Sequence, residues 1–391
     1  MSEKRWTPGE ADLGRLWSAA VEVAGGTVLG WRTTHLDVQP KGGTTVAAHV
    51  DVEWGDGAHS TETFGATTDS RHTQAALLMS DGEREVGLWR FPHDPALPAL
   101  PAACDPERMR RLVAGLGLGD GEVTLRVRAY RPCRRAVVEV RTARTSLFVK
   151  VLRPGKVEDL QRLHRAAAGS LAPESLGWTD DGLLVLGGLP GTPLRDLLLT
   201  EDSIALDPER IVEVLRTLPP ALAEHPARPG WGEQARHYAN AVAAVLPEAG
   251  PAAHAIADAV LPSGEPPVAV HGDFYESQLL VRDGELGGLL DIDTAGAGDR
   301  YDDPACLLGH LAVLAQVRPD RAEVIDAYAA RCLREFERHF DPRILRTRVA
   351  AVVLSLATGS HRVQDENWRT ALGQRLELAQ RWLTGEQLLA A

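Results

Sequence analysis

The sequence predicts an α+β chain with strands concentrated before residue 190 and helices after it. Short runs rich in the β-branched residues Val and Thr alternate with polar residues in the first half. From about residue 192 apolar residues recur at helical spacing, over 208–224, 233–247, 304–317, 320–338, 342–358 and 368–384. A proline-rich stretch, FPHDPALPALPAACDPER, separates an early strand group from a later one.

Composition sets the outer bounds. A chain of 391 residues predicts two or three domains, and 44% hydrophobic with 25% charged residues is ordinary globular composition. Four cysteines (Cys104, Cys133, Cys306, Cys332) show no C-x-x-C or His-paired spacing, so neither a zinc site nor a disulfide framework is expected. The start, MSEKRWTPGE, is polar, and no apolar run approaches the roughly 18 residues that span a bilayer. Cytoplasmic residence without membrane attachment is the expectation. A net charge of −12 argues against nucleic acid as a partner and is compatible with a cationic small molecule.

Residues 1–91 read as an α+β cap. A helix from Ala11 to Ala24 precedes strands at Thr44–Trp54, Ser60–Thr67 and Glu83–Phe91. Pro92, Pro95, Pro98, Pro101 and Pro106 then predict a stiff linker over 92–106. Within 107–188 three strands follow in succession, GEVTLRVRAY, AVVEVRT and SLFVKVL. Lys150 stands inside the third, where an isolated ammonium costs free energy unless it is paired. Glu158 or Asp159, at the start of a helical segment from Val157 to Ala168, could supply a partner. A strand-edge lysine that discourages aggregation is the plainer reading. The turn between the first two strands, Tyr130 to Arg135, is basic and lacks a G-x-G-x-x-G pattern. Arg134 and backbone N–H groups could cradle phosphate there, or the turn could be a charged hairpin without a ligand. The apolar strand Leu183–Leu186 runs into Gly187-Gly188-Leu189-Pro190-Gly191, a hinge-like turn before the helical part, 189–391.

The densest chemistry lies between His271 and Asp303, with nine Asp or Glu against two Arg. His271-Gly272-Asp273 is followed five positions later by Gln278, then a turn, then an apolar run from Leu286 that ends in Asp291. One carboxylate to accept the proton of an attacking hydroxyl, with an amide oxygen and a second carboxylate for Mg²⁺, is what phosphoryl transfer requires. The acids punctuate leucines and an isoleucine, unlike a solvated acidic run. Asp303 before Pro304 reads as a helix N-cap, and Asp299 as structural. Asp293 could face a second metal or solvent.

This segment resembles the catalytic and metal-binding core of the aminoglycoside phosphotransferase family, which includes choline kinases and maltokinases. His271-Gly272-Asp273 and Ala295-Gly296-Ala297-Gly298-Asp299 carry the resemblance, with Leu189-Pro190-Gly191 beside them. It implies a bilobal protein-kinase-like fold with a mainly helical C-terminal lobe, ATP and Mg²⁺ as cofactors, and an ATP-dependent kinase acting on a hydroxylated small molecule. Asp273 would be the catalytic base, and Gln278 and Asp291 the metal ligands, Gln278 standing where the family usually has Asn. Lys150, Glu158, Arg134, Gly187 and Leu189 would contact nucleotide. The N-terminal cap resembles that of maltokinases. For the acceptor, Glu276, Asp365, Glu366 and Trp368 are candidates, since an acid beside an aromatic suits an ammonium-bearing sugar. Trp368 as a packing anchor is the plainer reading. A catalytically inactive nucleotide-binding regulator is the alternative, to be marked by Mg·ATP binding without turnover.

Overall fold

The computed structural model describes residues 9–38, 43–73, 77–80, 85–226, 229–362 and 366–385. The chain divides into two compact units, Met1–Gln161 with Ser175–Gly188, and Arg162–Glu174 with Leu189–Ala391.

The first unit holds two antiparallel five-stranded sheets. β1 (Gly26–Val38), β2 (Thr44–Trp54), β3 (His59–Thr67), β4 (Leu77–Ser80) and β5 (Glu85–Arg90) form one, in the order β1-β2-β3-β5-β4. The helix Glu10–Val23 buries Leu13, Trp17 and Val21 in a cluster with Val46, Val50, Phe64 and Leu88 of that sheet. β1 was not anticipated, and its irregular register explains why. Shifts at Val28/Gly30 and Thr33/His35 reset which residues face the core, so no clean alternation runs through its sequence.

β6 (Thr124–Arg131), β7 (Arg135–Arg141), β8 (Ser146–Leu152), β9 (Ser175–Trp178) and β10 (Leu183–Gly187) form the second sheet, in the order β6-β7-β8-β10-β9. The proline-rich stretch belongs to its core. Leu97, Ala99, Leu100 and Ala103 are buried with Val138, Val149 and Val151, and the helix Pro106–Gly115 adds Met109 and Val113. The expectation of a stiff linker over 92–106 is therefore corrected. Prolines punctuate short turns and helices here, while the leucines and alanines between them supply apolar surface. Nor does the N-terminal sheet stand apart, because Phe91 packs edge-on against Tyr130 at 5.1 Å and Trp89 clusters with Cys133.

The second unit is mainly helical. Helices Pro208–Arg216, Ala235–Val245, Gly250–Asp258, Asp302–Val317, Ala322–Phe336, Pro342–Leu356 and Trp368–Thr384 surround a core that includes Leu307, Leu311, Phe336, Val349, Val353 and Trp382. The helix expected over 208–224 stops at Arg216, because Pro219 and Pro220 cannot continue it; a 3₁₀ turn, Pro220–Glu224, follows. Short strands carry the irregular part: β11 (Thr192–Pro193), β12 (Val268–Val270), β13 (Leu279–Arg282), β14 (Glu285–Leu289) and β15 (Gly296–Gly298). Among the described residues no helix is long and apolar enough to cross a membrane.

Candidate active site

β12 pairs antiparallel with β15 and delivers the chain to His271. The loop 271–278 leads into β13, which turns back through Asp283-Gly284 into β14. Both turn residues have positive φ (54° and 80°), as a two-residue hairpin turn requires. Register then does the chemical work. Leu279 faces Leu289, and one step further Leu290 N donates to Gln278 O at 2.8 Å, so Gln278 and Asp291 share one end of the hairpin. Asp291 itself adopts φ +53°, a conformation few non-glycine residues take outside turns and functional sites.

The loop is pinned from several sides. Asp303 accepts His271 N at 2.7 Å and Gly272 N at 2.8 Å. Burial pushes the Asp303 carboxyl above its ordinary value, while His271 and the two N–H groups pull the other way. Asp303 is thus structural, but not as the helix cap its place before Pro304 suggested; the N-cap is Tyr301. His271 Nε2 pairs with Leu290 O at 2.8 Å, and Asp273 N donates to Nδ1 at 3.3 Å, which leaves the imidazole proton on Nε2. His271 therefore ties the loop to the hairpin and is no base. Gly272 has φ +79°, and a Cβ there would stand 2.5 Å from Thr294 O. Only glycine fits between His271 and Asp273. Asp273, Asp291 and Asp293 are half-buried, so each can meet a ligand.

Two contacts behind the loop escaped the sequence reading. Arg195 N donates to Glu276 O at 3.1 Å, and its guanidinium pairs with Glu276 Oε1 at 3.2 Å. Tyr275 stacks on His310 with ring centroids 4.4 Å apart and planes 26° apart. Burial keeps His310 neutral, with its pKa lowered to about 4. No local pattern marks His310, which lies 35 positions downstream of Tyr275 in an apolar helix.

Asp299 accepts Ser263 Oγ at 2.6 Å and Arg348 at 2.8 Å, a structural role as expected. Arg348 also lies 3.8 Å from Asp302, whose pKa burial raises to about 7.

Several expectations need correction. Glu276 is 1% exposed and paired with Arg195, so it is not offered to an acceptor. Trp368 packs against the helical core, with His361 edge-on at 4.8 Å and the Arg369 guanidinium 4.5 Å from its ring. A cation already occupies that ring, which disfavours an ammonium ligand there. Glu366 is exposed, and Asp365 lies outside the described residues. In the first unit, Glu158 is exposed and has no ion-pair partner among the described residues, while its helix, Val157–Ala166, buries Val157, Leu160 and Gln161. Arg134 pairs with Asp37 of β1 at 2.7 Å.

Lys150 is 7% exposed in β8, the middle strand of its sheet, opposite Val137 and Leu184. A strand-edge role is thereby excluded. Gly187 ends β10, and Gly188 N donates to Ser146 O at 2.9 Å. Leu189 begins the second unit and packs close to Gly288. A cavity of about 480 Å³, lined by Leu171, Val214, Leu286 and Leu289 among others, contains none of the expected site residues.

The sequence profile of the phosphotransferase enzyme family (APH) matches residues 133–346. An aminoglycoside 3′-phosphotransferase of Escherichia coli is 44% identical over 48 residues, which is 12% of this chain and 18% of that relative. The match thus spans under a fifth of the relative's length. Among solved structures, a thermostable mutant of aminoglycoside phosphotransferase APH(4)-Ia is similar with a TM-score of 0.47 and 16% identity, over 70% of this chain and 97% of that one. A macrolide 2′-phosphotransferase, MphH from Brachybacterium faecium, gives a TM-score of 0.41 and 19% identity, over 69% and 98%.

Proposed function

The chain belongs to the phosphotransferase enzyme family, and we propose that it moves the γ-phosphoryl group of ATP to a hydroxyl of a sugar, amino sugar or aminoglycoside. One observation carries this reading. The β13–β14 register sets Gln278 beside Asp291, while Asp303 and His271 hold Asp273 on the same rigid loop.

The donor set fits a hard cation. Among the described residues no group of three or more His, Cys, Asp or Glu forms a self-sufficient metal cage. Mg²⁺ asks for less, since it is commonly held by one or two protein oxygens together with substrate phosphates and water. Gln278 and Asp291 would supply those oxygens, and the longer stem of Gln keeps the carbonyl that Asn would offer. When bound, the ion neutralises charge on the phosphate oxygens. In the reaction the acceptor oxygen forms a bond to the γ-phosphorus in line with the bond that breaks. ADP leaves with that bond's electron pair, and the hydroxyl proton passes to the Asp273 carboxylate. Lys150, a buried cation on a central strand, is assigned to the nucleotide phosphates.

The short match to an aminoglycoside 3′-phosphotransferase supports aminoglycosides as the first acceptors to try. The resemblance of the N-terminal segment to the maltokinase cap, an expectation from sequence, adds maltose and glucose to the acceptors to try. The test is ADP release from Mg·ATP with kanamycin, glucosamine, glucose and maltose. Stimulation by one acceptor, lost in Asp273→Asn while nucleotide binding persists, is the expected result. Undiminished turnover in Asp273→Asn would remove that residue from its role.

A further inference from the structure

The turn between Asp273 and Gln278 is held from outside the β13–β14 hairpin. β11 pairs with β13, Thr192 opposite Val281 and Pro193 opposite Leu280, which carries the chain toward the start of β13. Arg195, two residues on, meets the turn at two points. Its backbone N donates to Glu276 O at 3.1 Å, and its guanidinium Nη1 reaches Glu276 Oε1 at 3.2 Å. Within the turn Gln278 N donates to Tyr275 O, and Gln278 O accepts Leu290 N, at 2.8 Å each. Both backbone groups of Gln278 are thus committed. Its side chain is 8% exposed, so the turn decides where the amide can point.

We propose that Arg195 is a positioning residue for Gln278, and that its clamp on Glu276 sets the affinity of this end of the hairpin for a divalent cation. The assignment rests on the phosphotransferase reading above, in which Gln278 and Asp291 would hold the ion. Glu276 is what makes the clamp matter. The residue is 1% exposed, its Oε2 is sealed without a hydrogen-bond partner, and Arg195 supplies its one ion pair among the described residues. A buried carboxylate deprived of that partner is strongly destabilised, and moving toward water is the relief open to it. Gln278, two residues further along the same turn, would move with it. Outer residues that orient metal ligands commonly carry about 10- to 100-fold in metal affinity. Coulomb's law alone predicts the opposite sign, because removing a nearby cation favours a bound one. A loss of affinity on removing Arg195 therefore reports position and not charge.

Mn²⁺ binding in the presence of ADP, followed by electron spin resonance, tests this apart from turnover. Arg195→Met is expected to weaken Mn²⁺ about tenfold, while ADP binding without metal stays within about twofold of wild type. Arg195→Met combined with Glu276→Met leaves no unpaired carboxylate to displace the turn, and is expected to recover most of the lost affinity. Arg195→Lys keeps the charge but loses the fork, and serves where Arg195→Met does not fold; it is expected to weaken Mn²⁺ in the same direction. An unchanged Mn²⁺ affinity in Arg195→Met, or in Arg195→Lys where only that variant folds, overturns the assignment and leaves the phosphotransferase reading intact. Tighter binding also overturns it, by reducing Arg195 to a nearby charge. A double variant as weak as Arg195→Met overturns it as well, by showing that Arg195 acts without Glu276. If Mn²⁺ binding by the wild-type protein is indifferent to both Gln278→Ala and Asp291→Ala, the phosphotransferase reading falls and takes this assignment with it.

Discussion

Two loops of this molecule, one in each unit, are held by a buried aspartate from elsewhere in the chain. In the second unit Asp303 grips His271 N and Gly272 N. In the first unit Asp94, 3% exposed, accepts Cys133 N and the Tyr130 hydroxyl at 2.8 Å each on one oxygen, and Ala96 N at 2.9 Å on the other. Tyr130 in turn accepts Trp89 Nε1 at 2.8 Å, and Cys133 takes φ +57°. Both devices satisfy backbone donors that an irregular loop would otherwise leave unpaired. The loops differ in what surrounds the anchor. Asp303 works beside further acids, one of which is the proposed base. Asp94 works inside an aromatic cluster, and burial raises its pKa against three hydrogen bonds. The same side chain therefore serves a charged site in one place and a packed seam in the other.

That contrast predicts unequal consequences of losing each anchor. Asp303→Ala should be the most damaging change, costing about 3 kcal/mol of stability and lowering phosphoryl transfer on the order of 10³-fold, because two buried N–H groups and the base lose their frame. Urea unfolding and steady-state kinetics measure both, and retention of activity would break the comparison at its stronger end. Gly272→Ala should follow, at roughly 2–3 kcal/mol with severe loss of turnover, since the added methyl collides with Thr294 O. Asp94→Ala should cost about 2 kcal/mol, leaving three donors unpaired, yet keep most of its turnover at saturating ATP. A turnover loss equal to that of Asp303→Ala would show that the two anchors are not distinct in function.

A pH experiment sharpens the contrast within the acidic site. The Asp302 carboxyl, raised by burial to about 7, is more readily protonated folded than unfolded. Its contribution to stability is complete below its ordinary value and fades as pH rises from about 4 through about 7. His310 acts oppositely, since its lowered pKa means stability is lost as pH falls from about 6.5 toward about 4. Melting temperatures across pH 5 to 8 should lose their alkaline decline in Asp302→Asn; an unchanged profile would remove Asp302 as its source. The smallest effect is expected for Asp37→Asn. It breaks only the half-exposed pair with Arg134, and thermal melts should show less than about 1 kcal/mol.

Much of the candidate site was legible because its residues lie within about thirty consecutive positions, where spacing alone relates Asp273, Gln278 and Asp291. Helices of the second unit were legible for a similar reason, as their apolar periodicity is local. The partners supplied from a distance were not. Arg195 behind Glu276, His310 behind Tyr275 and Asp37 beside Arg134 have no sequence signal, because register and packing create those pairs. Glu158 stays exposed on the first turn of its helix, which its position in the sequence did not reveal. β1 shows the same limit in a strand, where two register shifts erase the alternation on which recognition depends.

The buried leucines of the proline-rich stretch decide how this protein can be cut and recombined. Leu97 and Leu100 are fully enclosed against Val138 and Val149, so a truncated chain beginning near residue 107 would bare the apolar face of its first sheet to water. Such a fragment is expected to aggregate, and grafting the N-terminal sheet onto another chain at that stretch would carry half a core with it. What looks in the sequence like a hinge for exchange of parts is a place where the fold does not come apart.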